Sequence, residues 1–164
     1  MKKLDYKKIE AIILDFDGVL TNNFAYVNEF GEESVRISRA DGLAFDAIKY
    51  LGLKCYILSS EKNEVVKQRS KKLGIKCFAG IKDKKEKLIS ICSSNKININ
   101  RVIYIGNDIN DLKVIRICGY SFCPKDSHPL IKKNVTKCLH SNGGDGVVRE
   151  LIEKILKIDI TNFL

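Results

Sequence analysis

The stretch AIILDFDGVLT, residues 11–21, places two acidic residues directly after a run of four apolar residues. The run contains only Ala, Ile and Leu and predicts a strand that is buried on both faces. Asp15 and Asp17 are separated by one residue, so extended geometry would turn both carboxylates to the same side. Gly18 permits a tight turn behind them. These residues predict an acidic site at the end of a central strand.

Further along the chain, apolar runs alternate with segments in which apolar residues recur at helical spacing. The predicted strands are 11–14, 53–58, 75–78, 102–105 and 120–122, and the predicted helices are 42–51, 63–73, 84–93, 110–117 and 146–156. This pattern indicates an α/β fold, a Rossmann-like parallel sheet with helices on both faces. In such sheets, ligands bind beyond the carboxyl ends of the strands. The residues just past three strand ends are Asp15/Asp17, Ser59/Ser60 and Asn107/Asp108.

Residues 21–38 interrupt the alternation of strand and helix. Apolar residues alternate there with polar residues on both sides of Gly31, which predicts a β-hairpin with its turn near that glycine. Because the hairpin follows the acidic strand end, it could overhang the site as a flap; an ordinary edge hairpin is the alternative. Residues 1–164 are therefore expected to form one domain, with the hairpin at about 22–38 and no separate cap domain.

The composition excludes several classes of function. Hydrophobic residues make up 45% of the chain, which is typical of a globular protein, but no apolar run approaches the ~18 residues that span a bilayer. The net charge is +9, yet the lysines are dispersed and not interleaved with aromatics, which argues against nucleic acid and favours anionic small molecules. The basic start and short apolar run differ from a secretory signal, so a cytoplasmic location is expected. Six cysteines without a CxxC pair predict buried free thiols.

The paired carboxylates suggest a specific chemistry. Two close carboxylates repel each other, and a hard divalent cation with oxygen ligands, usually Mg²⁺ beside phosphate, compensates for that repulsion. One carboxylate can attack phosphorus and form an aspartyl-phosphate, while the other protonates the leaving oxygen and then activates water. We therefore expect a magnesium-dependent phosphomonoesterase with Asp15 as nucleophile and Asp17 as acid/base.

The segment DFDGVLT resembles DxDGVLT, the first signature motif of the haloacid dehalogenase superfamily of phosphatases. Ser59 resembles the residue of the second motif, whose hydroxyl binds the transferring phosphoryl group. Lys84 resembles the lysine of the third motif, which neutralises the phosphate and the nucleophile. Three neighbouring lysines are alternatives for that position: Lys82, Lys85 and Lys87. The segment GNDIND, residues 106–111, resembles the fourth motif, GDxxxD, which completes the metal site.

This resemblance implies a Mg²⁺ site with ligands from two strand ends. The candidate ligands are Asp15, Asp17, Asn107, Asp108 and Asp111. The chain departs from the superfamily pattern at Asn107, where an Asp is usual, and an amide oxygen binds the cation without adding negative charge. Either Asn107 or Asp108 could therefore make that contact. A second departure is Ser60, where Gly is frequent.

The segments 24–49 and 143–156 resemble the capless phosphatases of 3-deoxy-octulosonate 8-phosphate and of related nine-carbon sugar-acid phosphates. The resemblance implies a small-molecule sugar phosphate as substrate and a homotetramer, in which hairpins meet and a neighbouring subunit replaces the cap. It also implies a role in lipopolysaccharide or sialic acid biosynthesis. The implied substrate-binding residues are Ser59, Ser60, Glu61, Arg69 and Lys72. A solvated helix face is the alternative for Arg69 and Lys72. The segment GGDG, residues 143–146, resembles the family's glycine-rich motif near the site, and helix capping by Asp145 is the alternative there.

Other functions are also compatible with these motifs. The same domain is found fused to or beside acylneuraminate cytidylyltransferases, so the chain could be a non-catalytic oligomerisation module, and Asn107 favours that alternative. A phosphomutase or dehalogenase of the same superfamily is a third alternative. The absence of a cap and the motifs at Lys84 and 106–111 argue against it.

Overall fold

The computed structural model describes residues 6–163; residues 1–5 and 164 of the predicted domain lie outside the described residues. The strands are β1 (Ala11–Leu14), β2 (Thr21–Val27), β3 (Glu33–Ile37), β4 (Lys54–Leu58), β5 (Lys76–Phe78), β6 (Val102–Ile105), β7 (Tyr120–Cys123) and β8 (Lys137–Cys138). The α-helices are α1 (Ala40–Tyr50), α2 (Glu64–Leu73), α3 (Lys84–Ser94), α4 (Leu112–Ile115), α5 (Pro129–Lys132) and α6 (Val147–Glu150), and α6 continues as a π-helix (Leu151–Ile155). Short 3₁₀ segments lie at Tyr6–Lys8, Ile99–Arg101, Ile109–Asp111 and Ile160–Phe163.

Six strands form one parallel sheet in the order β5-β4-β1-β6-β7-β8, which confirms the predicted α/β fold. In this order β1 lies between β4 and β6, and Leu14 is aligned with Ile57 on one side and Ile105 on the other. The three central strands therefore end at the same level. Polar residues that follow them emerge side by side at the carboxyl edge of the sheet.

Both faces of the sheet are covered by helices. Successive residues of β1 point to opposite faces, so Ile12 and Leu14 belong to one apolar cluster and Ala11 and Ile13 to the other. The first cluster includes residues of α1, α2, α6 and the π-helix. The second includes residues of α3, α4 and α5. Burial on two faces explains why β1 and β6 are apolar throughout.

The predicted hairpin is present as a separate two-stranded antiparallel sheet of β2 and β3. In its turn the backbone N–H of Asn28 donates to the carbonyl of Glu32 at 3.1 Å, and Gly31 has a φ of 76°, a conformation that glycine adopts readily. Four large apolar side chains of the hairpin are exposed: Phe24, Tyr26, Val27 and Phe30. The hairpin thus extends from the carboxyl edge of the sheet with an apolar surface.

Some predicted elements differ from the structure. The predicted helix 110–117 is a 3₁₀ turn followed by the single turn of α4, and the predicted helix 146–156 is α6 joined to a π-helix. Gly146, with a φ of 89°, caps α6, so the proposed capping by Asp145 is wrong; its carboxylate instead pairs with Arg36 at 2.7 Å. The strand β8 has two residues and the helix α5 has a single turn. Both are too short to be predicted from the spacing of apolar residues.

The cysteines agree with the prediction in part. All six lie within the described range and are free thiols, but only Cys92 and Cys123 are buried, and the other four are half-buried. Among residues 6–163, no helix combines the length and the apolar character that crossing a membrane would require.

Candidate active site

A cavity of about 170 Å³ opens at the carboxyl edge, where the loops after β1, β4 and β6 meet. Its lining residues are Asp15, Asp17, Asn23, Ser60, Glu61, Asn107, Asp108 and Asn110. Six of these eight residues were predicted as site residues. Asn23 comes from the hairpin, which therefore contributes to the cavity wall, and Asn110 was not predicted.

Asp15 is held firmly at the floor of this cavity. Its backbone N–H donates to the carbonyl of Ile105 at 2.9 Å and so continues the pairing of β1 with β6. Its Oδ1 accepts a hydrogen bond from the backbone N–H of Phe16 at 2.7 Å, and its Oδ2 lies 2.7 Å from Nζ of Lys84. Both oxygens therefore have a defined orientation before any ligand binds.

Lys84 is the first residue of α3, and its ammonium joins two carboxylates. Nζ lies 2.7 Å from Oδ2 of Asp15 and 2.8 Å from Oδ1 of Asp111, and the Lys84 side chain is only 1% exposed. Burial alone would lower the pKa of Lys84, but the two carboxylates outweigh it and raise the pKa. A buried ammonium with two carboxylate partners stays charged, which suits the role expected for this lysine.

The other three lysines considered for this role point elsewhere. Lys87 stacks over the ring of Phe78, with Nζ 4.0 Å from the ring centroid. Lys85 lines a different cavity between α3 and α4, and Lys82 is exposed. The geometry therefore favours Lys84 among the alternatives.

Asp111 is fully buried behind the cavity wall, and both of its oxygens are engaged. Oδ1 accepts hydrogen bonds from Lys84 Nζ at 2.8 Å and from the hydroxyl of Tyr104 at 2.6 Å. Oδ2 accepts from the backbone N–H of Asn107 at 2.9 Å and of Asp108 at 3.4 Å. This geometry does not match the predicted role of Asp111 as a direct metal ligand. Its carboxylate instead orients Lys84 and the loop after β6.

The remaining metal candidates face the cavity. Oδ2 of Asp17 is buried and has no hydrogen-bond partner among the described residues. Asn107 is buried, and a Cβ built on Gly18 would lie 1.9 Å from its Nδ2, so the turn at residue 18 leaves room for the Asn107 side chain. Asp108 is exposed, and its Oδ1 accepts a hydrogen bond from the N–H of Ile109 at 2.7 Å.

These oxygen donors fit a hard cation such as Mg²⁺. The carboxylates of Asp15, Asp17 and Asp108 and the amide of Asn107 border one small cavity. Oδ2 of Asp17 has no hydrogen-bond partner among the described residues. Within residues 6–163, no three Asp, Glu, His or Cys side chains already converge as a closed metal cage. Mg²⁺ usually keeps several waters and takes only a few protein ligands.

Burial and mutual repulsion raise the pKa values of two carboxyl groups in the site. Burial, followed by the Asp111 carboxylate, raises the pKa of Asp15 well above its usual value, although Lys84 opposes the shift. Burial, followed by the Glu61 carboxylate, raises the pKa of Asp17 as well. A divalent cation beside Asp15 would offset this repulsion and favour the ionised form of that carboxylate, whereas the raised pKa of Asp17 favours its protonated form.

The loop after β4 contributes three of the predicted residues. Ser59 is buried, and its Oγ accepts a hydrogen bond from the N–H of Glu61 at 3.1 Å, which closes a tight turn beside the cavity. The Oγ of Ser60 accepts from Nδ2 of Asn110 at 3.1 Å, and this bond links the loops after β4 and β6. Ser60 and Glu61 therefore line the cavity directly.

The structure does not bring Arg69 and Lys72 to this cavity within the described part of one chain. Both residues lie on α2 and line a different cavity of about 330 Å³, together with Arg39 and Lys49. Arg69 donates from Nη2 to the carbonyl of Ser38 at 3.1 Å. A single chain thus leaves these two predicted substrate contacts separate from the paired acids.

The glycine-rich segment near the end of the chain supports the turn that follows Asp17. Gly144 donates its backbone N–H to the carbonyl of Val19 at 3.0 Å, and a Cβ on Gly143 would lie 2.3 Å from the carbonyl oxygen of Gly18. Asp126 accepts a hydrogen bond from the N–H of Gly143 at 2.9 Å. Only residues without side chains allow this close approach of two backbones.

The comparison with known families defines the class of protein. Residues 21–151 match the family described as haloacid dehalogenase-like hydrolase. The chain belongs to this family, and the predicted fold and phosphatase activity are confirmed.

Individual relatives show which phosphatases this chain is similar to. The 3-deoxy-D-manno-octulosonate 8-phosphate phosphatase of Haemophilus influenzae is 29% identical over 152 residues, which cover 92% of this chain and 84% of that protein. The crystal structure of 3-deoxy-D-manno-octulosonate 8-phosphate phosphatase from Moraxella catarrhalis, in complex with magnesium, phosphate and KDO, has a TM-score of 0.89 and 30% identity and covers 96% of this chain and 91% of that chain. The magnesium ion in that relative supports the predicted cofactor.

One further relative bears on the non-catalytic alternative. N-acylneuraminate cytidylyltransferase A of Danio rerio is 29% identical over 151 residues, which cover 90% of this chain but only 35% of that protein. The phosphatases match over most of their own length, so the oligomerisation module is not favoured.

Proposed function

We propose that the chain catalyses the Mg²⁺-dependent hydrolysis of the phosphate monoester of a 3-deoxy-2-keto sugar acid with eight or nine carbons. Octulosonate 8-phosphate and nonulosonate 9-phosphate are examples of such substrates. The observation that carries the proposal is the contact of the buried Lys84 ammonium with Oδ2 of Asp15, 2.7 Å apart, at the floor of an open acidic cavity. The similarity to sugar-acid phosphatases over most of the chain supports the substrate class.

In this proposal Asp15 is the nucleophile. Its carboxylate attacks phosphorus and forms a new P–O bond while the bond to the sugar oxygen breaks. Because Phe16 N–H and Lys84 Nζ hold the two oxygens, the carboxylate needs little reorganisation before the attack. Lys84 also neutralises negative charge that would otherwise repel the incoming phosphate.

Asp17 serves as the acid and then as the base. Asp17 lines the cavity, and burial together with the Glu61 carboxylate raises its pKa, so this carboxyl group can carry the proton that the departing alkoxide takes. The resulting Asp17 carboxylate then removes a proton from water, which attacks the aspartyl-phosphate. Inorganic phosphate leaves, and Asp15 and Asp17 return to their initial states.

Asp15, Asp17 and either Asn107 or Asp108 would hold the magnesium ion. When bound, the ion supplies positive charge that compensates for the phosphoryl oxygens. Ser59 would bind the phosphoryl group. Four polar residues that line the cavity would form hydrogen bonds with the sugar hydroxyls: Asn23, Ser60, Glu61 and Asn110.

The proposal includes a homotetramer in which residues 1–164 act as one domain. Arg69 and Lys72 lie outside the cavity of their own chain, so they would reach the substrate carboxylate only from a neighbouring subunit. The exposed apolar surface of the hairpin suits burial between subunits. Substrates of this class would place the protein in the cytoplasm, in lipopolysaccharide or sialic acid biosynthesis.

Phosphate release from a panel of sugar-acid phosphates and one aryl phosphate, with and without Mg²⁺, tests the proposal. We expect release with Mg²⁺ and a preference for the sugar acids. Asp15→Asn should fold normally but show no turnover, because an amide cannot attack phosphorus. Asp159→Asn, at an exposed aspartate in the segment after the π-helix, is the matched control and should keep full activity. Turnover by Asp15→Asn, or no release from any substrate by the wild type, would contradict the proposal.

A further inference from the structure

We propose that Tyr104 is a positioning residue for this phosphatase: its hydroxyl fixes Asp111 so that the Lys84 ammonium stays beside Asp15. This inference rests on the proposed function of Asp15 and Lys84. It assigns a role to a residue that does not touch the cavity and that belongs to none of the sequence motifs.

The contacts form a continuous chain from the centre of the sheet to the nucleophile. Tyr104 lies on β6 and is fully buried, and its hydroxyl donates to Oδ1 of Asp111 at 2.6 Å. The same oxygen accepts a hydrogen bond from Nζ of Lys84 at 2.8 Å. The ammonium in turn lies 2.7 Å from Oδ2 of Asp15.

Asp111 is confined on every side that the structure describes. Its second oxygen accepts hydrogen bonds from the N–H groups of Asn107 and Asp108 at 2.9 and 3.4 Å. A Cβ built on Gly106 would lie 2.5 Å from its Cγ, so the carboxylate packs closely against the backbone of residue 106. Tyr104 and Lys84 are thus the two side-chain donors that share the remaining oxygen.

The position of Lys84 depends on how this oxygen is shared. One ammonium serves two buried carboxylates, and each competes for it. The tyrosine hydroxyl stabilises the charge on Asp111, which reduces the demand of that carboxylate on Lys84. Without the hydroxyl, we expect the ammonium to move towards Asp111 and away from Asp15. The charge of the nucleophile and of the incoming phosphate would then be poorly compensated.

The tyrosine is suited to this role because it remains a donor. Burial and the carboxylates of Asp111 and Asp15 raise the pKa of Tyr104 well above its usual value, so the phenol keeps its proton. Phenylalanine has nearly the same shape and lacks only the hydroxyl. The substitution Tyr104→Phe therefore removes the hydrogen bond with little change in packing.

Steady-state kinetics of Tyr104→Phe on the substrate that the wild type hydrolyses best is the first test. We expect kcat to fall about tenfold and KM to change less than about twofold, because the lost contact acts on the nucleophile and not on substrate binding. Tyr56→Phe on β4 is the matched control, since Tyr56 is also buried but its hydroxyl has no hydrogen-bond partner within residues 6–163. That control should keep wild-type kcat and KM. An unchanged kcat in Tyr104→Phe would overturn the inference.

Crystal structures of the wild type and of Tyr104→Phe give a readout that does not depend on turnover. We expect the distance from Lys84 Nζ to Asp15 Oδ2 to lengthen from 2.7 Å while the contact with Asp111 is kept. If that distance is the same in both structures, the inference is wrong. If instead the wild type hydrolyses no phosphate ester, the proposed function fails, and the same distance still decides whether Tyr104 positions Lys84.

Discussion

Replacing Lys84 with Met removes the ammonium that two buried carboxylates share. The Lys84 side chain is 1% exposed and the Asp15 and Asp111 side chains are 6% and 0% exposed, so water cannot replace the lost contacts without a local opening. Removing one partner of a buried ion pair costs about 3 to 5 kcal/mol, because the other charge remains buried without compensation. Methionine fills most of the volume of the aliphatic lysine stem, so we assign the loss to charge rather than to a cavity.

The loss should depend on pH in a direction that the structure defines. The pKa of Asp15 is raised even with Lys84 present, and without the ammonium it should rise further. A carboxyl group with a raised pKa in the folded state stabilises the fold at low pH and loses that contribution as pH rises through the folded pKa. Lys84→Met should therefore lose about 3 kcal/mol or more at pH 8 and clearly less at pH 5.

Urea unfolding in magnesium-free buffer at both pH values measures this difference. Lys85→Met is the matched control, because Lys85 is the next residue of α3 and faces a different cavity. Its free energy of unfolding should change by less than about 0.5 kcal/mol. With Mg²⁺ and substrate, Lys84→Met should also lower kcat about a hundredfold to a thousandfold, as for the loss of one electrostatic donor in an active site. An equal loss at pH 5 and pH 8, or wild-type stability at pH 8, would refute the reasoning.

Two further substitutions test the surroundings of the site. Gly18→Ala should lose about 1 to 3 kcal/mol of unfolding free energy and also lower kcat, because residue 18 has a φ of 74° and its Cβ would overlap Nδ2 of Asn107. Gly52→Ala is the control: residue 52 has a φ of 67° and a Cβ there would meet no described atom within 4 Å, so this variant should lose only about 1 kcal/mol and keep its kcat; equal effects of the two would contradict the argument. Burial raises the pKa of Asp41 from 3.8 to about 6, against a hydrogen bond from the Arg149 N–H, so its contribution is full below pH 3.8 and is lost as pH rises through 6. Relative to Asp41→Asn, the wild type should therefore lose about 2 kcal/mol of unfolding free energy between pH 4 and pH 7, and parallel curves would show that Asp41 does not titrate there.

The elements that surround the site could be predicted because their signals are local. An apolar run followed by two acids defines β1 and its end, and Gly31 between alternating residues defines the hairpin turn. The site residues that depend on these strand ends were brought together as expected. The π-helix could not be predicted, because the apolar positions 147, 148, 151, 152 and 155 fit an α-helical period equally well.

The roles that depend on side-chain direction could not be derived from spacing. Asp111 is the last residue of a short 3₁₀ turn, and the rotation of that turn decides whether its carboxylate faces the cavity or Lys84. Tyr104 is the one residue with a polar group in the apolar run VIYI, which only weakly indicates a role for its hydroxyl. The sequence does not show that this hydroxyl contacts Asp111. The position of Arg69 and Lys72 relative to a site is a property of an assembly, which one chain does not determine.

The contact between the glycine-rich segment and the turn after Asp17 has a consequence for the order of events during protein synthesis. Asp15 leaves the ribosome long before Gly143 and Gly144, which brace the turn behind it. A nascent chain therefore carries its reactive acids without the backbone that holds them in place until this glycine-rich segment has been synthesised. Hydrolytic competence should arise only after residue 144 has emerged.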